Sequence, residues 1–292
     1  MSAAGAVIAV LSAAGVVTGS FFDMEIAEAV YSPDNLFWRI ITIAGMYPFF
    51  ALWVFYMGVI CRQVRSSGLS EKKKAVWTVV CGYLGLSTSV ICAWGMLSQD
   101  TLGGLFPQVT DNPPVIAAAA LFGVFPLFFA GYFSSKKEYD DGLLKRLIRL
   151  CVIMLISVLL MTAVKMIFCR PRYRLIIRNI PEIGFQPWYL PFAGSESLIN
   201  GMGIPLNDFR SFPSGHASMC MGLIFALPML TDIYDRIRGR KVLLFAAGAV
   251  FAVLVCISRM VLGAHFLSDV SAGSLIAVLF LFVELRQTER HG

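Results

Sequence analysis

Apolar positions fall in long runs separated by short charged stretches, and the runs are too uniformly apolar to be one face of a soluble helix. Eight of them approach the roughly 20 residues with which an α-helix spans a hydrocarbon core about 30 Å thick: 3–20, 36–61, 76–98, 114–133, 147–168, 214–231, 241–262 and 265–285. The pattern predicts an all-α, polytopic transmembrane helical bundle of about eight helices. It reads as a single integral membrane domain over 1–292 with no soluble domain, low-complexity tract or internal repeat. The first run is rich in Ala and Gly but lacks the basic leading region of a signal peptide, so an uncleaved helix is expected there. The longest connection, 169–213, is rich in Pro, Gly and aromatics (Pro181, Gly184, Pro187, Trp188, Tyr189, Pro191, Gly194) and suits an interfacial belt or a lid.

Composition points the same way: 58% of residues are hydrophobic and 14% charged, more apolar surface than one soluble core buries. The seven cysteines (Cys61, Cys81, Cys92, Cys151, Cys169, Cys220, Cys256) form no CxxC pair, which argues against a disulfide framework or a zinc site.

A formal charge of +6 is compatible with nucleic acid as a partner, but its distribution is not. Arg62, Arg65, Lys72, Lys73 and Lys74 share one loop, Lys136, Lys137, Lys145, Arg146 and Arg149 another, Arg236, Arg238, Arg240 and Lys241 a third, and Arg286 and Arg290 the C-terminal tail. These sixteen of the 24 basic residues fall on one side, which the positive-inside rule makes cytoplasmic together with both termini. On the opposite side, 21–35 carries Asp23, Glu25, Glu28 and Asp34, and 99–113 carries Asp100 and Asp111, with no Lys or Arg in either. The third outer segment breaks that rule with Arg170, Arg172, Arg174, Arg178 and Arg210. A planar guanidinium fork matches phosphate oxygens, so this cluster points to an anion site, with lipid headgroup contact as the plainer alternative.

Two histidines, His216 and His265, lie near predicted outer helix ends, where ionisable side chains are functional candidates. In Ser211-Phe-Pro-Ser-Gly-His216, Ser214 can cap the sixth helix, and the free amides beyond it offer a cradle for phosphate that Gly215 leaves open. His216 is then placed to donate a proton to a leaving oxygen; an ordinary helix cap is the competing reading. His265 and Asp269, four apart, share a face if helical, so the carboxylate can orient the imidazole for attack, and Arg259 sits before the bend near Gly263. A purely structural His–Asp pair is the alternative there. Lys165 and Arg172 bracket the end of the fifth helix, where a lysine can also simply snorkel.

Taken together these stretches resemble the tripartite signature of the type 2 phosphatidic acid phosphatase superfamily. Its Lys, six residues, Arg-Pro is matched by Lys165 to Arg172 followed by Tyr173, its Pro-Ser-Gly-His by Pro213 to His216, and its Ser-Arg, five residues, His, three residues, Asp by Ser258, Arg259, His265 and Asp269. The signature region is 165–269. Tyr173 in place of proline is expected to loosen the turn. The family commonly has six crossings, so the extra helices of a six-helix core are expected within 1–134.

The resemblance implies dephosphorylation of a membrane lipid phosphate or diphosphate (undecaprenyl diphosphate, phosphatidylglycerophosphate or phosphatidate) at the extracytoplasmic face, with no metal or other cofactor. His265 is then the nucleophile, forming a phosphohistidine; His216 protonates the leaving group; and Lys165, Arg172, Arg259, Ser214 and Gly215 hold the phosphate. The competing classes are an anion or lipid-phosphate transporter and a non-catalytic scaffold relative.

Overall fold

The computed structural model describes the backbone of the chain except Met1, Gln99, Lys136, Lys137, 193–200, Met202, His291 and Gly292; the side chains of Ser2 and 280–290 are also outside the description. Lys136, Lys137, Gly194 and the side chains of Arg286 and Arg290, which enter the sequence reading, therefore lie outside the described residues. Among the described residues there are helices and no strands. The main helices are α1 (Ser2–Val30), α2 (Leu36–Ser66), α3 (Glu71–Met96), α4 (Pro113–Ser134), α5 (Asp141–Phe168), α6 (Gly215–Ile233), α7 (Lys241–Val261) and α8 (Leu267–Arg290). Seven are long and apolar enough to cross a membrane, and the described part of α8, Leu267–Leu279, is a shorter apolar helix. The protein is a multi-pass, all-α membrane protein.

Internal contacts divide the chain into two compact units. The first comprises Met1–Thr42, Ile153–Gly222 and Val250–Gly292. Within it α1 lies along α8, and a Cβ added to Gly19 would come within 2.6 Å of the Asp23 carboxylate and closer still to the Ser268 backbone nitrogen. Small residues at such contacts let backbones approach where lipid supplies no hydrophobic drive between helices.

Two boundaries differ from expectation here. Helix α1 does not end near residue 20; it kinks at Phe22 (φ −127°, ψ 16°) and runs on to Val30, so Asp23 is not in an exposed acidic loop but 2% exposed. Helix α8 begins at Leu267, so His265 lies in the preceding turn and not on a helical face shared with Asp269. That turn follows from Gly263, whose left-handed backbone (φ 61°) closes α7 and whose place a Cβ would take only at 2.7 Å from Tyr31.

The second unit comprises Ile43–Val152 and Leu223–Ala249. Its α2 and α4 meet at Gly58 and Gly131, where an added Cβ would collide with the carbonyls of Phe128 and Phe55 respectively. Helix α4 widens to a π turn over Ala119–Val124, with the Phe125 amide reaching back to Ala120 O at 2.8 Å just before Pro126, which has no amide hydrogen to donate. A buried Gln63 joins the two helices' ends, donating to Ser135 Oγ (3.2 Å) and Glu138 O (3.3 Å) and accepting from Asp140 N (2.9 Å).

Candidate active site

All candidate residues belong to the first unit. Helix α5 ends at Phe168, and Cys169 takes a left-handed backbone (φ 44°) that turns the chain so that Arg170 and Arg172 point inward, 1% and 3% exposed. A short helical turn, Tyr173–Ile176, follows, with the amides of Leu175 and Ile176 both bonded to Arg172 O. Tyr173 does not loosen this turn as expected. Its ring is buried edge-on against Tyr31 (5.2 Å) and Phe266 (6.3 Å), and the next amide, Arg174 N, donates to Gly263 O at 3.0 Å.

Lys165 does not snorkel outward: its Nζ donates to Arg210 O at 2.8 Å, and its Cε passes 3.7 Å from where a Gly215 Cβ would stand. Arg172 Nη2 donates to Asn207 Oδ1 at 3.0 Å, and its amide to Asp208 O at 2.9 Å. Helix α6 starts as its sequence suggests. Ser214 precedes Gly215 and its Oγ accepts from Ala217 N at 3.4 Å, while its own amide donates to Asp269 O at 2.9 Å. This bond ties the start of the helix carrying His216 to the start of the helix carrying Asp269, so His216 and the turn that holds His265 belong to the same end of these two helices. His216 is buried, and half-buried Gly215 stands open beside Lys165.

His265 is 1% exposed, its amide bonded to Arg259 O at 3.1 Å. Its Nδ1 lies 2.6 Å from Ser211 O, and since a carbonyl only accepts, Nδ1 carries the proton and Nε2 the free lone pair. The direct bond to Asp269 that the spacing suggested is replaced: Asp269 Oδ2 is 3.8 Å from Nδ1 and instead accepts from Ser211 Oγ and from Phe266 N at 2.8 Å. Asp269 thus orients the ring through Ser211 and the turn. Burial pushes the His265 imidazole down to about 3, against the pull of Asp269, and the charges of Lys165, Arg259 and Arg172 push in the same direction as burial. It is therefore held neutral, with the positive charges of Lys165, Arg259 and Arg172 acting on it.

Sequence reasoning missed the group behind Asp269. The Arg170 guanidinium donates to Asp269 Oδ1 (2.6 Å), Ser268 Oγ (2.9 Å), Asp23 Oδ2 (2.9 Å) and, through Nε, Gln186 O (2.7 Å). Phe266 and Phe185 cover it, their ring centroids 4.3 and 5.3 Å from Cζ. Arg174 in turn pairs with buried Asp208 at 2.7 Å. The arginines were visible as a cluster, but nothing in the spacing distinguishes those paired with carboxylates from the others.

The family model described as the PAP2 superfamily matches residues 146–292, half of the chain, and this span contains Lys165, Arg172, Ser214, Gly215, His216, Arg259, His265 and Asp269. The chain belongs to the PAP2 superfamily. Among curated proteins, phosphatidylglycerophosphatase B of Bacillus subtilis (strain 168) is 37% identical over 75 residues, which is 25% of this PAP2 chain and 36% of that relative's length. No solved structure matches it. Helix α1, with Asp23, lies outside the matched span.

Proposed function

We propose that this PAP2 protein hydrolyses a membrane lipid phosphate through His265. The observation that carries the reading is a buried imidazole whose Nδ1–H is committed to Ser211 O, leaving Nε2 as its lone-pair atom, and on which the positive charges of Lys165, Arg259 and Arg172 act. That combination suits attack on a phosphorus whose equatorial oxygens need neutralising.

His265 Nε2 forms the bond to phosphorus as the phosphorus–oxygen bond to the leaving group breaks; the electron pair leaves on that oxygen, which takes a proton from His216. Water then attacks the phosphohistidine, giving its proton to His216, and the nitrogen–phosphorus electron pair returns to His265 as inorganic phosphate departs. Lys165, Arg172, Arg259, the Ser214 hydroxyl and the Gly215 amide hold the phosphoryl oxygens throughout, a role other phosphoryl-transfer sites give to metal ions. Among the described residues no three His, Cys, Asp or Glu side chains gather as metal ligands.

The charge asymmetry of the loops supports an extracytoplasmic site with both termini cytoplasmic, where a headgroup would meet the site while its tail stays in the bilayer. Phosphatidylglycerophosphate leads the substrate panel because a relative bears its name; undecaprenyl diphosphate and phosphatidate complete it. The test is phosphate release from this panel in mixed micelles with excess chelator, comparing the wild type with His265→Ala. Chelator-resistant release that disappears in the variant is expected, and release that persists removes His265 as nucleophile. Orthovanadate should inhibit as a mimic of pentacoordinate phosphorus.

A further inference from the structure

Arg170 sits between two carboxylates, Asp269 beside the nucleophile and Asp23 on α1, 1%, 0% and 1% exposed respectively at their side chains in the two ion pairs. Arginine with Asp269 alone would form a closed neutral pair. The third member changes the balance: one guanidinium shared by two carboxylates leaves a net charge of −1 at the group that lies behind His265. Asp23 is held for this by two further contacts, from Ser268 N at 2.9 Å and from Ser268 Oγ. A buried carboxylate on a membrane helix is strongly disfavoured unless it is paired, and Asp23 meets that condition through Arg170.

We infer that Asp23, on a helix outside the family-matched span, is a positioning residue for the reaction: it draws off part of the Arg170 charge so that Asp269 keeps negative charge for the imidazole that becomes cationic as it takes the phosphoryl group. The line of contact runs from Asp23 through Arg170 to Asp269, from Asp269 to Ser211 Oγ, and from Ser211 O to His265 Nδ1. Asp23 touches neither substrate nor the reacting atoms. Its effect falls on the step in which positive charge develops on the ring and not on phosphate binding, which belongs to Lys165, Arg172 and Arg259. The inference rests on the phosphatase reading above.

The experiment uses the full chain in mixed micelles with phosphatidylglycerophosphate, measuring steady-state kcat and KM and, by rapid quench, the rate of phosphoenzyme formation. Asp23→Asn removes one charge at nearly constant volume and is expected to slow phosphoenzyme formation and kcat at least tenfold with KM within about threefold, while Asp23→Glu retains most of the rate. The double variant Asp23→Asn/Arg170→Gln returns the group to a net charge of −1 and is expected to be faster than Asp23→Asn alone. A folded Asp23→Asn with wild-type kcat, or a double variant no faster than the single one, overturns the inference. If Asp23→Asn does not fold, Ser268→Ala, which keeps both charges but removes the hydroxyl joining them, should lower kcat severalfold with KM unchanged, and an unaltered kcat overturns the inference equally. A wild type that releases no phosphate from the panel refutes the phosphatase reading; an active wild type with an unaffected Asp23→Asn refutes this inference alone.

Discussion

The two units bury polar groups in different ways. Among the described residues every buried Asp, Arg and His (Asp23, Arg170, Arg172, Asp208, His216, Arg259, His265 and Asp269) belongs to the first unit, whereas the second buries only neutral groups, Gln63, Ser67, Ser89, Thr101, Ser135 and Thr231. Each unit contains a buried side chain that joins several groups at once. Gln63 satisfies two acceptors and one donor with no charge involved, whereas Arg170 satisfies four acceptors, two of them carboxylates. A neutral amide is sufficient to join two helix ends, and buried charge adds a desolvation cost that such joining does not require. On the function proposed above, the contrast separates groups that join helices from groups that take part in the reaction.

The largest break in that contrast should come from Asp269→Ala. It removes the acceptor of Ser211 Oγ, of the Phe266 amide and of one Arg170 nitrogen together, releasing the turn that aims His265. Loss of the group that orients a catalytic imidazole costs on the order of 10⁴ in kcat in a well-studied triad, and a drop approaching that size is expected in phosphate release by folded protein. A drop below tenfold would leave the turn, and not the carboxylate, as what orients the ring.

A pair of glycines sharpens the comparison at intermediate size. A Cβ at Gly273 in α8 would collide with the Ser214 carbonyl, and one at Gly248 in α7 would stand 2.9 Å from Ile224 Cα in the second unit. Overpacking of this kind costs about 1–3 kcal/mol, so both Gly273→Ala and Gly248→Ala should melt earlier in detergent. Only Gly273→Ala displaces Ser214 and the start of α6, so only it should also lower kcat/KM, by about tenfold or more. Equal kinetic effects would mean that activity tracks stability and not the placement of the start of α6.

Much of this was legible in the sequence because it depends on local chemistry. The apolar runs mark the helices, the Ser214 cap forms as its position suggests, and Lys165, Arg172, Ser214, Gly215, His216, Arg259, His265 and Asp269 lie together in one unit. What was not legible depends on pairings distant in the chain. Asp23 resembled a loop residue because a carboxylate at the end of an apolar run usually marks an exit to water, and only its partner, 147 residues away, makes burial possible. The His265–Asp269 spacing suggested a helical face, but the left-handed Gly263 and the start of α8 at Leu267 put the imidazole in a turn, where the Ser211 carbonyl reaches it first.

Acid should distinguish the units next. An unfolded histidine titrates near about 6.5, whereas burial holds His265 at about 3. Between those values the unfolded chain binds the extra proton and the folded one does not, so this group makes stability fall as pH drops through the window and has no effect above it. The melting temperature of the wild type should therefore decrease from pH 7 to pH 4.5 by more than that of His265→Gln, which cannot titrate. Parallel decreases would show that other groups govern the acid response.

The smallest effect on catalysis is expected from the neutral counterpart. Gln63→Leu keeps roughly the shape of the side chain but strands Ser135 Oγ, Glu138 O and the Asp140 amide, which close the connection between α4 and α5. Leaving buried partners unsatisfied costs about 1–3 kcal/mol, so the variant should melt several degrees lower. Its kcat and KM at a temperature where it is fully folded should stay within about twofold of the wild type, because no charge and no contact of the first unit has changed. If instead Gln63→Leu lowers kcat as Asp269→Ala does, the distinction between a unit that holds and a unit that reacts fails, and the reaction depends on the α4–α5 connection as much as on the buried charges.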